Sequence, residues 1–422
     1  MQNSRIDVCV VGMGYIGLPT AVFLANSGMF VVGVDIDPER LRMVDSANAP
    51  FQEQGLENLL SRARESGMLT TSAKVVRANT FIVAVPTPLK EDKTADLSFV
   101  FSAISEIASV LVGGELIILE STCPPGTTHE VASVVKGIRP DLVFDDSTGA
   151  VQFAYCPERV LPGNMITEFV ENSRIVGGIS DSAARRAARL YQKVCRGGVQ
   201  QTDANTAELA KLAENTFRDL NIAFANELSI IASDWDVNPW KLIALANLHP
   251  RVNILKPGIG VGGHCIAVDP WFLAQENPDD SKLIVAGRKA NERKTEWVTS
   301  QIVSKIKENS SCRVMIWGLA FKPDVEDLRE SPAVQIVQRV AYEAPDTELI
   351  VLEPFITQLP NALSTNENVE LIRKFECVNW PDYLHVFLVR HSQFGETLSN
   401  EWTGDRSNSL DFVGILDEID LT

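Results

Sequence analysis

The stretch "GVGGHCIAVDP" at residues 260–270 sets a thiol, Cys265, behind three glycines, Gly260, Gly262 and Gly263, with the carboxylate of Asp269 four positions on. Glycine lets a backbone turn tightly or approach a ligand where a Cβ would obstruct it. A thiolate so placed could add to a carbonyl carbon. Cysteine is also a small buried hydrophobe in most folds, so two readings of Cys265 stand side by side. Asp269 is open in the same way, because "DPWFLAQ" (269–275) starts like a helix with Asp269 as N-cap and Pro270 at its first position. Lys211 and Asn215 lie four apart in a helical segment and share a face. There a lysine could stabilise an alkoxide or move a proton, and an amide could hold a water. The alternative is an exposed lysine beside a surface amide.

A second constellation opens the chain. Gly12, Gly14 and Gly17 form GxGxxG in "GMGYIG", preceded by the apolar run "IDVCVV" and followed by a helical stretch. The spacing alone recurs by chance, but a second strand ending in Asp35, 18 residues past Gly17, completes the expected context. Gly12 serves the turn, Gly14 lets the backbone approach a pyrophosphate, and Gly17 allows close helix–strand packing. The phosphates would sit among the N–H groups at the helix start. A carboxylate at Asp35 would accept from ribose hydroxyls and repel a 2′-phosphate, which selects NAD over NADP. Arg40 either stacks on adenine or is a solvated helix residue. With NAD present, a thiol at Cys265 suggests aldehyde oxidation through a thiohemiacetal and a thioester, as in glyceraldehyde-phosphate and aldehyde dehydrogenases.

The elements that must position these groups fall into three segments. Apolar strands "FVVGVDID" (30–37), "TFIVAVP" (80–86), "ELIILEST" (115–122) and "VQFAYCP" (151–157) alternate with helical stretches such as 54–67 and 98–112. That alternation predicts a parallel sheet covered on both faces. Residues 203–236 contain no Gly or Pro, and Leu209, Leu212, Phe217, Leu220, Phe224, Leu228 and Ile231 recur near helical spacing, so a long helix capped by Thr202 or Asp203 is expected. A second long helix is expected at 281–309. Helices of this length often bury an apolar face against a second subunit. After Ser311 the alternation resumes, with a strand running into a loop at 313–323, strands at 348–354 and 384–390 and a helix at 331–344. The fold class is therefore α/β, two doubly wound Rossmann-like domains (1–195 and 310–422) joined by a mostly helical central dimerisation domain (196–309). The last domain lacks the dinucleotide glycines, but Lys322 and Arg329 follow its first strand, either as solvated charges or beside a nucleotide. The glycine pairs at 113–114 and 177–178 read as turns.

Composition excludes several classes. A formal charge of −17, from 38 basic and 55 acidic residues, disfavours nucleic acid and anionic membrane as partners. No apolar run is long enough to span a bilayer, and the N-terminus lacks the shape of a signal peptide. Seven scattered cysteines without CxxC point to reduced thiols in the cytoplasm. The histidines have no metal-ligand spacing, so no metal is expected.

"GMGYIG", "CPE" (156–158), "KLAEN" (211–215), "GGHCIAVDP" (262–270) and "FKPDVEDLRESP" (321–332), in this order over nearly the whole chain, resemble the nucleotide-sugar 6-dehydrogenases, the UDP-glucose/GDP-mannose dehydrogenase superfamily. "AYCPERVLPG" (154–163), "NIAFANELS" (221–229), "HPRVNILKPGIGVGGHCIAVDPWF" (249–272) and "HSQF" (391–394) look like the branch acting on UDP-N-acetyl-D-mannosamine, with a sister branch acting on UDP-N-acetylglucosamine. The resemblance implies four-electron oxidation of a sugar C6 hydroxymethyl to the carboxylate, with two NAD and one water, for bacterial surface polysaccharide. It makes Cys265 the nucleophile, Lys211 the group acting on the C6 oxygen, Asn215 and Asp269 the groups ordering water and lysine, and Glu158 the group for thioester hydrolysis. Thr122 in "ESTCPPGTT" would help hold a water and the nicotinamide. Cofactor contacts would come from Gly12, Gly14, Tyr15, Ile16, Gly17, Asp35, Arg40, Pro86, Thr87, Thr122 and Arg329. The UDP-N-acetylhexosamine would meet Glu158, Arg159, Val160, Lys211, Asn215, Asn253, Lys256, Gly262, Phe321 and Lys322. Arg251 would reach the site of the neighbouring subunit in a homodimer. Pro162 stands where UDP-glucose dehydrogenases carry a second acid, which fits the N-acetylhexosamine subgroup. A UDP-N-acetylglucosamine dehydrogenase, a non-catalytic nucleotide-sugar sensor and a one-step alcohol dehydrogenase are the other readings.

Overall fold

Short strands that are apolar on both sides have to be covered on both sides, and the first unit of the chain centres on four such strands, Val8–Val11, Val31–Val34, Thr80–Val83 and Leu116–Leu119, each buried throughout. The computed structural model describes residues 6–51, 53–160, 163–308, 313–374, 383–401 and 406–419, so Pro162 lies outside the described residues. The chain divides into two compact units, Met1–Glu214 and Asn215–Thr422. In the first, β1 (Val8–Val11), β2 (Val31–Val34), β3 (Leu69–Ser72), β4 (Thr80–Val83), β5 (Leu116–Leu119), β6 (Gln152–Tyr155), β7 (Arg174–Gly178) and β8 (Val199–Asp203) form a sheet in the order β3-β2-β1-β4-β5-β6-β7-β8 among the described residues. Val8 and Val10 enter a core with Leu18, Leu24 and Leu60, whereas Cys9 and Val11 enter another with Ile104 and Val131. Strand order reverses between β1 and β4, which opens a crevice at the carboxyl ends of the strands.

Two expectations are corrected in this sheet. It is not wholly parallel: β7 runs antiparallel to β6, with Ala154 opposite Gly178 and Tyr155 opposite Gly177. Gly177 and Gly178 are not a turn but the end of β7. A Cβ on Gly177 would lie 2.4 Å from the Asp203 carbonyl oxygen, and one on Gly178 would lie 2.4 Å from the Ala184 nitrogen. Bare backbone is what lets the next two helices start against this strand.

The helix Ala204–Asp234 runs for 31 residues and is capped by Asp203, whose carboxylate accepts the Thr206 N–H at 2.9 Å and the Thr206 hydroxyl at 2.6 Å. The helix Lys282–Glu308 is the second long one. In the second unit β9 (Arg313–Trp317), β10 (Leu349–Leu352), β11 (Val369–Ile372), β12 (Tyr383–Phe387) and β13 (Ser409–Asp411) form a parallel sheet in the order β11-β10-β9-β12-β13 among the described residues.

The two sheets share one local device. After β1, Gly12 (φ +95°) donates to the Val34 carbonyl at 2.8 Å and Met13 N–H donates to Asp35 Oδ2 at 2.8 Å. After β9, Gly318 (φ +92°) donates to the Leu352 carbonyl at 2.9 Å and Leu319 N–H donates to Glu353 Oε2 at 2.8 Å. The second copy has Ala320 where the first has Gly14, and Ala320 is buried. A methyl group therefore stands where the first loop has bare backbone.

Gly177→Ala should lower stability by about 3 kcal/mol, the range for overpacking against backbone. Gly137→Ala, on the exposed side of the helix Thr127–Ile138 with nothing within 4 Å of the added Cβ, should raise it by about 0.5–1 kcal/mol. Denaturant midpoints check both, and an unchanged Gly177→Ala would contradict the packing described.

Candidate active site

The glycines of the first loop differ in their surroundings. A Cβ on Gly12 would lie 2.5 Å from the Ala84 carbonyl oxygen and one on Gly17 only 1.8 Å from that of Gly12, whereas nothing comes within 4 Å of one on Gly14. The helix Gly17–Asn26 begins after Ile16 with no side-chain cap, which leaves first-turn N–H groups for an anion. Asp35 is buried at the end of β2, and its carboxylate accepts from Met13 N–H at 2.8 Å and Asp37 N–H at 2.9 Å. Arg40 Nη1 pairs with it at 3.0 Å, so Arg40 sits beside the acid rather than in bulk solvent. An open glycine, an uncapped helix start and a strand-end carboxylate fit a dinucleotide. The Tyr15 hydroxyl donates to Glu53 at 2.9 Å, and Glu53 also accepts the N–H groups of Gly163 and Met165 at 2.9 and 3.0 Å. Pro86 is exposed, and the Thr87 hydroxyl donates to the Thr122 carbonyl at 2.6 Å, which joins the loops after β4 and β5.

Farther along this unit, Glu158 follows β6 and is buried. Its Oε1 accepts the N–H groups of Arg159 (2.7 Å) and Val160 (3.1 Å), and its Oε2 pairs with Arg174 Nη2 at 3.0 Å. The Arg159 guanidinium is paired with Glu214 at 2.6 Å and donates to the Ser173 carbonyl at 2.9 Å. Lys211 is buried, which removes the exposed-lysine reading. One turn earlier, Glu208 accepts from Gly126 N–H (2.6 Å), Thr128 N–H (2.8 Å) and the Thr128 hydroxyl (2.6 Å), and so fixes the loop that carries Thr122.

In the second unit Cys265 is exposed, unlike the four other described cysteines. Burial pushes the Cys9 thiol up to about 11 and the Cys156 thiol up to about 12, and raises that of Cys123 well above its usual value. The Cys265 carbonyl accepts from Val268 N–H (3.1 Å) and Asp269 N–H (2.8 Å) in a tight turn ahead of the helix Asp269–Glu276. The expected N-cap is off by one: Val268 is the cap residue, and Asp269 lies inside the first turn. The buried Asp269 carboxylate instead accepts from Asn215 Nδ2 at 2.5 Å, because an acid taken out of water requires a donor. Asn215 is buried too, not a surface amide.

The segment from Arg251 to Gly258 has no regular structure, so side-chain amides serve its backbone. Asn221 donates to the Asn253 carbonyl (3.0 Å) and accepts from Leu255 N–H (3.0 Å), while Asn226 accepts from Gly258 N–H (2.9 Å). Arg251 and Lys256 are exposed. The glycines beyond them make room first for protein. A Cβ would lie 2.3 Å from Thr295 Oγ1 at Gly260, 2.4 Å from the Glu330 carbonyl oxygen at Gly262, and 2.8 Å from the Phe321 ring at Gly263. With Gly263 N–H on the Arg329 carbonyl at 3.2 Å, the Cys265 loop and the loop carrying Phe321, Lys322 and Arg329 are brought together. The Arg329 side chain forks onto Asp327 at 2.8 and 2.5 Å. Lys322 Nζ stands 6.0 Å from the Phe321 ring centre.

Sequence reasoning missed Glu53, Glu120, Glu208 and Arg174, each partnered across a long sequence gap. Only Glu120 left a signal, as an acid ending the apolar run "LIILE". It is fully buried and accepts from the Thr20 hydroxyl (3.0 Å) and the Tyr191 hydroxyl (2.6 Å). Burial pushes its carboxyl up to about 7, Arg174 pulling it down and Glu158 adding to the rise. A folded pKa above the unfolded one means stability that is present below about 4.5 and lost as pH rises through about 7. Glu120→Gln should therefore gain on the wild type by a few kcal/mol between pH 5 and pH 8. Unfolding midpoints at the two pH values check this, and a pH-independent difference would refute it.

Known proteins align with this geometry along most of the chain. Residues 6–195 match the NAD binding domain, 205–293 the central domain and 315–418 the UDP binding domain of the UDP-glucose/GDP-mannose dehydrogenase family. The chain is similar to the UDP-N-acetyl-D-mannosamine dehydrogenase of Campylobacter jejuni, at 46% identity over 95% of this chain and 99% of that one. It is also similar to the NDP-N-acetyl-D-galactosaminuronic acid dehydrogenase of Ralstonia nicotianae, at 44% identity over 92% and 91%. Its fold is similar to that of the UDP-D-ManNAc dehydrogenase from Pyrococcus horikoshii, with TM-score 0.85, 34% identity and coverage of 97% and 96%. No helix among the described residues is long and apolar enough to cross a membrane. The chain belongs to the UDP-glucose/GDP-mannose dehydrogenase family and is an NAD-dependent dehydrogenase.

Proposed function

We propose that the protein oxidises the C6 hydroxymethyl of UDP-N-acetyl-D-mannosamine to the carboxylate, in the cytoplasm, for surface polysaccharide synthesis. The observation that carries this reading is an exposed Cys265 one turn ahead of the buried Asp269, itself bonded to Asn215 on the helix that bears Lys211. The 46% identical relative named for that substrate supports the sugar. In this reading residues 1–195 hold the cofactor, 196–309 carry the catalytic helix and the dimer face, and 310–422 hold the UDP-sugar. Bound NAD supplies the hydride acceptor, once for each of two oxidations, and Gly12, Gly14, Tyr15, Ile16, Gly17, Asp35, Arg40, Pro86, Thr87, Thr122 and Arg329 hold it.

Lys211 accepts the proton of the C6 hydroxyl in the first oxidation and faces the C6 oxygen through the second. Cys265 Sγ bonds to the aldehyde carbon, so the intermediate stays attached. Loss of the second hydride from this thiohemiacetal leaves a thioester. A water ordered by Glu158, Thr122, Asn215 and Asp269 adds to the thioester carbon. The C–S bond then breaks, the thiolate returns, and the water's protons leave through Glu158. One alcohol, two NAD⁺ and one water thus give one carboxylate, two NADH and three protons. Arg159, Val160, Asn253, Lys256, Gly262, Phe321 and Lys322 hold the nucleotide sugar.

Counting NADH per sugar tests the reaction. Two NADH per UDP-N-acetyl-D-mannosamine, with little from the gluco, galacto or glucose analogues, is the expected result. Two per another sugar would overturn the substrate, and one per sugar would overturn the covalent role of Cys265. Cys265→Ser should stall at or before the aldehyde, and full carboxylate formation by that variant would contradict the assignment.

The partner in this reading is a second copy of the chain. Phe217, Phe224 and Ile231, seven apart on the long helix, are 67, 51 and 55% exposed. An apolar stripe of this kind suits a two-fold interface, from which Arg251 is donated to the neighbouring site. Phe224→Glu should shift the protein from dimer to monomer in sedimentation, and a monomeric wild type would reject the interface.

A further inference from the structure

Behind Glu158 lies a charged cluster that the chemistry above does not use. Arg174, the first residue of β7, is buried, and its guanidinium carbon lies 4.0 Å from the Phe169 ring centre and 5.1 Å from that of Tyr191. Its Nη1 stands 3.9 Å from Cys156 Sγ and its Nη2 3.0 Å from Glu158 Oε2. The Tyr191 hydroxyl is bonded to Glu120 at the end of β5. Burial works against the Arg174 charge, but Glu158, Cys156 and Glu120 together hold the group more firmly protonated than usual.

A buried ion pair of this kind adds little stability over an apolar replacement. What it fixes is direction. A carboxylate has four acceptor positions, and on Glu158 two backbone N–H groups and Arg174 occupy three of them. The plane of the carboxylate is thereby set, and the fourth position is aimed. A water-sized cleft bordered by Glu158, Arg159, Ser173 and Arg174 runs alongside.

We propose that Arg174 is a positioning residue for Glu158, aiming its carboxylate at the water that cleaves the Cys265 thioester, with Glu120 and Tyr191 bracing Arg174 from behind. The inference rests on the hydrolytic role given to Glu158 above. The step is hydrolysis alone: water adds to the thioester carbon, the C–S bond breaks, and no electrons are exchanged.

The test is stopped-flow absorbance of NADH formation, with excess NAD⁺ and the UDP-sugar the wild type oxidises. Arg174→Gln should give a burst of two NADH per site at close to the wild-type rate, then a steady state at least tenfold slower. Removing a cation beside a carboxylate favours its protonation, so the acid limb of kcat should move to higher pH. Glu120, Tyr191 and Cys156 also face this cluster, and Glu120→Gln in the same profile separates its contribution. Arg174→Lys keeps the charge but not the fork, so it should recover part of the loss, and it carries the test if Arg174→Gln does not fold. An equal loss in burst and steady state with an unmoved pH profile would make Arg174 merely structural and overturn the proposal. Glu158→Gln, run in parallel, separates the two failures. Wild-type hydrolysis by Glu158→Gln refutes the role of Glu158 itself, whereas a burst in Glu158→Gln but not in Arg174→Gln refutes only that of Arg174.

Discussion

One uninterrupted helix, Ala204–Asp234, is the constraint on which the rest depends, because much of its buried surface is polar. Glu208, Lys211, Asn215, Asp219, Asn226 and Ser229 recur at spacings of three, four and seven, and all are buried. Polar groups removed from water must be satisfied, and partners stand opposite. Thr128 serves Glu208, Asp269 serves Asn215, Arg288 and Asn291 serve Asp219, and Lys294 serves Ser229. Each such bond ties one neighbouring segment of its own unit to the helix. A glycine or proline within it would rotate the following residues away from their partners, and the segment contains neither.

With the inner stripe of this helix given to hydrogen bonds, part of the apolar surface is turned outward at Phe217, Phe224 and Ile231. The irregular stretch before Cys265 depends on the same helix, since Asn221 and Asn226 substitute for a strand neighbour. Glycines at 260, 262 and 263 then let that stretch lie against Thr295, Glu330 and Phe321. Cys265 is thus presented by a loop with little backbone left unfixed, which suits a nucleophile better than a mobile surface thiol.

What could be read from the sequence was local. Apolar runs marked β1, β2, β4, β5 and β6, the Asp203 cap marked the long helix, and the glycine spacing marked the turn after β1, whose Met13 N–H bonds Asp35. What could not be read were pairings across distance. β7 carries Arg174 at its start and two glycines at its end, a poor strand by composition, and its direction against β6 follows from packing. Asp269 reads as a cap because a short acid before proline caps most helices, but a buried amide 54 residues earlier claims it instead. Lys211 stays open between a catalytic and an exposed reading because apolar periodicity ordinarily marks the inner face, and on this helix part of that periodicity marks the outer one.

In the proposed reaction Cys265 carries the sugar between two oxidations. Acid quenching during the first turnover, followed by peptide mapping, tests it most directly. The expected result is a nucleotide-sugar adduct on the peptide containing Cys265 and on no other cysteine. Carboxylate accumulating through that turnover while Cys265 stays unmodified would contradict it.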